Sequence, residues 1–256
     1  MTPNPDSQVD STIPVSESDR IIRSGDRISL ILIGVLFAGI ASTAVYSSSF
    51  SPEARRARCC ARMEQLLLAM DQYHVDYGSF PPACTVDREG RPLHSWRTLL
   101  LPYLNQSSLY HQIDLTRPWN APENSRAFQT AMPLFQCPCA RLGHNQSTYL
   151  VLNGPDCIFN ADKTMQIRQI TDGTANTIAI VDVPESMAIP WMQPVDLSPD
   201  MLPSIKRMED LSHSGGLIAG FACGKSHFID SGIDDNTLRH LSTAAGGEGC
   251  NCAANF

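Results

Sequence analysis

SPEARRARCCARMEQLLLAMDQYHVDYGS, residues 51–79, is the stretch on which the reading of this chain turns. Ser51 can cap a helix, Pro52 suits the first helical position, and Glu53 favours the positive end of the helix dipole. Met63, Leu66, Met70, Tyr73 and Tyr77 then recur at spacings of three and four. That period predicts a long helix with one apolar stripe packed against a sheet. Gly78 and the Pro81-Pro82 pair stop it.

Just upstream, Ile28 to Tyr46 reads ISLILIGVLFAGIASTAVY, nineteen residues without a charge. A helix rises about 1.5 Å per residue, so this run nearly crosses a hydrocarbon core of ~30 Å. It exceeds the roughly 7–15 apolar residues of a signal peptide, which favours a retained anchor. Residues 1–27 are polar, with Pro3, Pro5 and Pro14 and no apolar period, and read as a flexible tail. Arg20, Arg23 and Arg27 precede the run, while Arg55, Arg56, Arg58 and Arg62 follow it. Basic residues on both flanks leave the orientation open.

The 256 residues, 43% apolar, accommodate this anchor and one globular domain with a real core. The net charge is −7, with three lysines (Lys163, Lys206, Lys225) and no basic surface beyond the arginines near the anchor, so no nucleic-acid partner is expected.

Beyond the helix, residues 94–104 predict a short helix ending near Pro102, and residues 114–124 an irregular connection around Trp119. Ser147 to Leu152 and Thr177 to Val183 predict strands, the second alternating around Asp182. Asp172-Gly173, with Asn176, forms a turn between them; Asp172, Thr174 and Asn176 offer oxygens to calcium, but chain reversal alone explains them. Leu217 to Ala222 and Ser226 to Ile229 flank Cys223-Gly224 as a hairpin, and a short helix follows from about Asp235 to Leu241. A long helix followed by antiparallel strands is an α+β plan.

Nine cysteines are many for this length, and the number is odd: Cys59, Cys60, Cys84, Cys137, Cys139, Cys157, Cys223, Cys250 and Cys252. Disulfides, free thiols and a metal are all open readings. Cys137-x-Cys139 and Cys250-x-Cys252 have the spacing for part of a metal site, though not the paired C-x-x-C pattern that tetrahedral zinc usually selects, and no metal or cofactor is assigned. His213 and Cys223 invite comparison with a thiol nucleophile and its base, but nothing in the sequence brings them together, and no catalytic residue is assigned. Exposed tryptophans among Trp96, Trp119 and Trp191 would support stacking on sugars.

Several phrases occur in order: Glu53-Ala-Arg-Arg-Ala-Arg-Cys59, Tyr77-Gly-Ser-Phe-Pro-Pro82, Leu93-His-Ser-Trp-Arg97, Leu101-Pro-Tyr-Leu104, Pro118-Trp-Asn120, Phe135-Gln-Cys-Pro138, Thr171-Asp-Gly-Thr-Ala-Asn-Thr177 and His213-Ser-Gly-Gly216. Together they resemble a large planctomycete family of pilin-like proteins of unknown function that carries a C-terminal prepilin-associated motif, H-x(9)-D-G. The resemblance runs from about residue 50 to residue 247. It implies a pilin-like fold, with a long N-terminal helix half in the membrane and half packed on an antiparallel sheet outside the cytoplasm.

It also implies that His213, Gly215, Gly216, Cys223 and Gly224 form a structural motif, with His213 a hydrogen-bonding histidine. Cys59 and Cys137 fall where relatives commonly place cysteines, which makes them the first candidates for a disulfide. Two residues depart from the family pattern. The fifth residue after Gly25 is Leu30 where a prepilin carries Glu, which favours an uncleaved anchor. Nine residues after His213 stands Cys223-Gly224, so the turn glycine is kept and the carboxylate is not.

The expectation is therefore a polar tail (1–27), an anchor (28–46), a pilin-like α+β domain (51–247) and an irregular tail (248–256). The protein would sit in the cytoplasmic membrane as a single-pass, non-enzymatic structural or assembly component with its domain outside the cytoplasm. Its partners would be the lipid bilayer and other pilin-like subunits or secretion machinery. An anchored glycan- or solute-binding module is the alternative, and a thiol-dependent enzyme a distant third.

Overall fold

The computed structural model describes residues 51–247. The polar tail, the apolar run at 28–46 and the C-terminal residues 248–256 lie outside the described residues, and no helix among the described residues is long and apolar enough to cross a membrane.

Helix α1 (Pro52–Tyr77) has Pro52 at its start and Glu53 in its first turn. At 26 residues it is about 39 Å long. Cys59, Met63, Leu66, Leu67 and Met70 are buried along one face. Burying four such large side chains contributes roughly 1.5–3 kcal/mol each, the main force holding the helix down. The expected stripe fades at its C-terminal end: Tyr73 is half-buried and Tyr77 is exposed, the two rings stacked 4.3 Å apart. There Tyr103 takes over, its ring edge-on to Tyr73 and its hydroxyl donating to Asp76 at 2.7 Å. Gly78 then turns the chain at φ +74°, its N–H bonding the His74 carbonyl.

A hairpin of β1 (Cys84–Val86) and β2 (Pro92–Ser95) leads into α2 (Trp96–Leu100), capped by the Ser95 hydroxyl. A 3-10 turn and the one-turn helices α3 (Ser107–Tyr110) and α4 (Ser125–Phe128) carry the chain to β3 (Gln146–Ser147) and β4 (Tyr149–Val151). The strand expected over Ser147–Leu152 thus divides. Its first part pairs with β6 (Ile189–Pro190), its second with β5 (Ile178–Asp182). The remaining elements are α5 (Leu202–Ile205), β7 (Gly216–Phe221), β8 (Ser226–Asp230) and α6 (Asp235–His240).

The main sheet runs β4-β5-β7-β8, antiparallel throughout. Tyr149, Val151, Ile180 and Ile218 face the core under α1. Leu150, Val181, Leu217 and Phe221 face a second core closed by Leu202, Ile205 and Leu238 from the short helices. Burial on both faces is why β5 and β7 read as nearly unbroken apolar runs. The fold is α+β: a first helix laid over antiparallel sheets.

One polar hub fastens the hairpin region to the sheet. Arg97 is wholly buried; its Nε and Nη2 donate to the Tyr149 carbonyl, Nη1 to Ser95 Oγ, and Nη2 also pairs with Asp196 at 3.1 Å. Asp196 Oδ1 further accepts from Trp96 Nε1 and the Val151 N–H. Burial pushes the Asp196 carboxyl up to about 6, against the opposing pull of Arg97.

Candidate metal centre

Three distant stretches of chain meet at the N-terminal half of α1. Cys59 sits about two turns into the helix, on its buried face. Cys137 and Cys139 lie in the loop after the 3-10 turn at Pro133–Phe135, where the Cys137 N–H bonds Thr148 Oγ1 and its carbonyl accepts from Ala140. His213 lies just before β7; its carbonyl accepts from Gly216, and Gly215 makes the tight reversal at φ +85°.

Arginines of α1 hold both loops in place. Arg62 donates to the Pro133 and Gln136 carbonyls at 2.7 and 3.3 Å. Arg56 donates to the Ser214 carbonyl at 3.0 Å while its guanidinium lies 3.5 Å over the Phe228 ring.

The result is a cluster of four donor atoms, three Sγ and one imidazole nitrogen, all within 4.8 Å of one another. Cys59 and Cys137 sulfurs are 2.8 Å apart, Cys59 and Cys139 3.5 Å, and Cys137 Sγ lies 3.5 Å from His213 Nε2. Cys59, Cys137 and His213 are buried and Cys139 is half-buried; all three cysteines are free. The Cys59–Cys137 contact divides their acidity. A hydrogen bond from Cys137, reinforced by His213, holds the Cys59 thiol well below the ordinary range, and the same contact pushes Cys137 up. The Arg55 guanidinium stands beside Cys139, whose sulfur raises it.

Asp182, at the end of β5, completes the surroundings. Its Oδ2 is 3.9 Å from His213 Nε2, and its Oδ1, fully buried, has no hydrogen-bond partner among the described residues. Burial raises this carboxyl to about 7, against the pull of Thr148, Cys137 and His213. Three thiols and an imidazole can hold a borderline-soft cation, or two of the sulfurs can join as a disulfide.

The other residues singled out in the sequence are dispersed. Cys223 and Gly224 sit at the β7–β8 turn, where Gly224 has φ +84° and the Cys223 N–H bonds the Thr174 carbonyl. His213 and Cys223 therefore flank opposite ends of β7, a strand about 17 Å long, and do not meet as base and nucleophile. Asp172 accepts from the backbone N–H groups of Gly246 and Gly247 and from Thr243, while Asn176 bonds the Asp172 carbonyl and Gly173 has φ +93°. That turn anchors the end of the domain. Trp96 and Trp191 are buried with their indole N–H groups bonded to Asp196 and the Thr130 carbonyl, and Trp119 is half-buried beside Phe128.

The family resemblance points to Cys59 and Cys137, and the Cys137-x-Cys139 spacing to part of a metal site, but nothing in the sequence joins the two or adds His213 to them. Nor does it add Asp182, although this is the one charge in TIAIVDV.

Residues 52–154, from α1 through β4, match a family described as a protein of unknown function (DUF1559). The matched stretch contains Cys59, Cys137 and Cys139. No curated protein and no solved structure matches the chain.

Proposed function

We propose that this chain is a non-enzymatic, membrane-anchored, pilin-like structural subunit whose domain lies outside the cytoplasm. It would act by docking with other such subunits or with secretion machinery in the cell envelope. The observation that carries this reading is the outer face of α1. While its inner face fills the core, Leu68 and Val75, two turns apart on the opposite side, are 57% and 77% exposed. Large apolar groups left in water on an otherwise well-packed helix suit contact with a neighbouring helix. The uncharged run at 28–46 ends a few residues before α1 and supplies the anchor.

The test is the assembly state of the full chain extracted in mild detergent, followed by light scattering over a range of concentrations. Assemblies that dissociate in Leu68→Glu/Val75→Glu, with unchanged thermal unfolding, are the expected result. A monomer at every concentration overturns the reading. Stabilisation by a soluble glycan or small solute, without association, would install the binding-module alternative.

A further inference from the structure

We infer that Cys59, Cys137, Cys139 and His213 bind one zinc ion, which clasps α1 to the loop before β3 and to the entry of β7. Zinc takes four ligands in a tetrahedron, with Zn–S about 2.3 Å and Zn–N about 2.0–2.1 Å, which places neighbouring donor atoms roughly 3.5–3.8 Å apart. Two of the observed separations are 3.5 Å, and all four donor atoms lie within 4.8 Å of one another. To reach that spacing the 2.8 Å Cys59–Cys137 approach must open by about 1 Å, and any pair standing near the 4.8 Å limit must close by about as much.

The donor set selects the ion. Thiolate and imidazole suit zinc, whereas calcium and magnesium require oxygens that the four positions do not offer. Four protein ligands with none missing describe a closed, structural site rather than one holding a reactive water.

A disulfide is the competing use of the same atoms, and it accounts for fewer of them. Joining Cys59 to Cys137 leaves Cys139 within reach of a bonded sulfur and His213 Nε2 with only Asp182, 3.9 Å away, for a partner among the described residues. Zinc uses all four. On binding, the three thiols release their protons to solvent, and three thiolates around a dication leave one net negative charge. Arg55, beside the Cys139 sulfur, is placed to balance it. Asp182 stands 3.9 Å from the same His213 Nε2 that would bind the ion, so it is a carboxylate beside the ligating nitrogen and not the partner of the ring's other N–H.

The experiment uses the full chain, produced with zinc supplied and purified without chelator. Elemental analysis is expected to find one zinc per chain. Replacement with Co(II) is expected to give the intense visible absorption of a tetrahedral thiolate complex. Cys139→Ser, at the half-buried position where folding is least threatened, should lose the stoichiometric zinc and alter the Co(II) spectrum. Cys60→Ser, one residue along the helix and outside the cluster, should retain both. Chelation should lower the melting temperature of the natural protein and leave that of Cys139→Ser unmoved. A zinc-free protein with a mass two hydrogens lighter than the reduced chain would overturn the inference in favour of a disulfide. A zinc-free protein with every thiol free would overturn it outright.

Discussion

Gly220 of β7 lies so close beneath Met63 of α1 that a methyl group on it would stand 2.9 Å from the Met63 sulfur. Leu67 Cδ1 would be equally near. Both side chains are buried, so neither swings away freely. Gly220→Ala should cost about 1–2 kcal/mol of stability, read from urea unfolding, through overpacking. Paired with Met63→Ala, its cost should shrink, because the cavity left by Met63 accepts the new methyl. Strict additivity of the two changes would show that α1 does not rest on Gly220.

Arg97 and Asp196 are a buried ion pair, 3.1 Å apart. Removing either leaves the other uncompensated, which costs about 3–5 kcal/mol. Arg97→Met should fall in that range. Arg97→Lys should recover little, because one ammonium cannot reach Ser95 Oγ, the Tyr149 carbonyl and Asp196 together. A wild-type urea midpoint in the lysine variant would refute this.

Asp235 links α5 and α6 by pairing with Lys206 at 2.6 Å and Arg207 at 2.5 Å. Lys206, then Arg207, hold its carboxyl down to about 2. A folded value below the unfolded one of about 4 means that the stabilisation is complete above that pH and is lost as pH falls toward about 2. Asp235→Asn should therefore lower the urea midpoint at neutral pH and flatten its decline on acidification. The two proteins should converge near pH 2; a constant gap at every pH would assign the loss to something other than ionisation.

Asp172 fastens the backbone at Gly246 and Gly247. Asp172→Ala should raise amide hydrogen exchange at those two residues by roughly tenfold, the equivalent of about 1.4 kcal/mol for a hydrogen bond to a charged group. Protection in β5 and β7 should not change. Unaltered exchange at Gly246 would remove Asp172 from this role.

The parts of this fold that the sequence displayed are those whose signals are local. The helix carries its own start, period and stop between Ser51 and Gly78, and the β7–β8 hairpin is written in Cys223-Gly224 between two apolar runs. Periodicity places Tyr77 on the buried stripe, but period counts turns and does not mark where the opposing surface ends, so Tyr77 stays exposed. The β3–β6 pair was invisible: two residues on each side, forty apart, with Pro190 in one of them. The donor cluster was half visible. Cys137-x-Cys139 is a local spacing, but Cys59 and His213 join it only because α1 crosses the sheet at that point, which is decided by side-chain packing such as that of Met63 over Gly220.

The ties along α1 are unevenly spread, and this gives the helix a mechanical direction. Arg56, Cys59 and Arg62 grip neighbouring loops near the end that begins at Pro52, whereas the far end is held by stacked tyrosines, the Tyr103 hydroxyl on Asp76 and the His74 ring, which accepts from the Ile167 N–H. Tension entering at Pro52 meets the strongest fastenings first, before any apolar contact is loaded. Pulled from Tyr77 instead, the same helix would peel turn by turn.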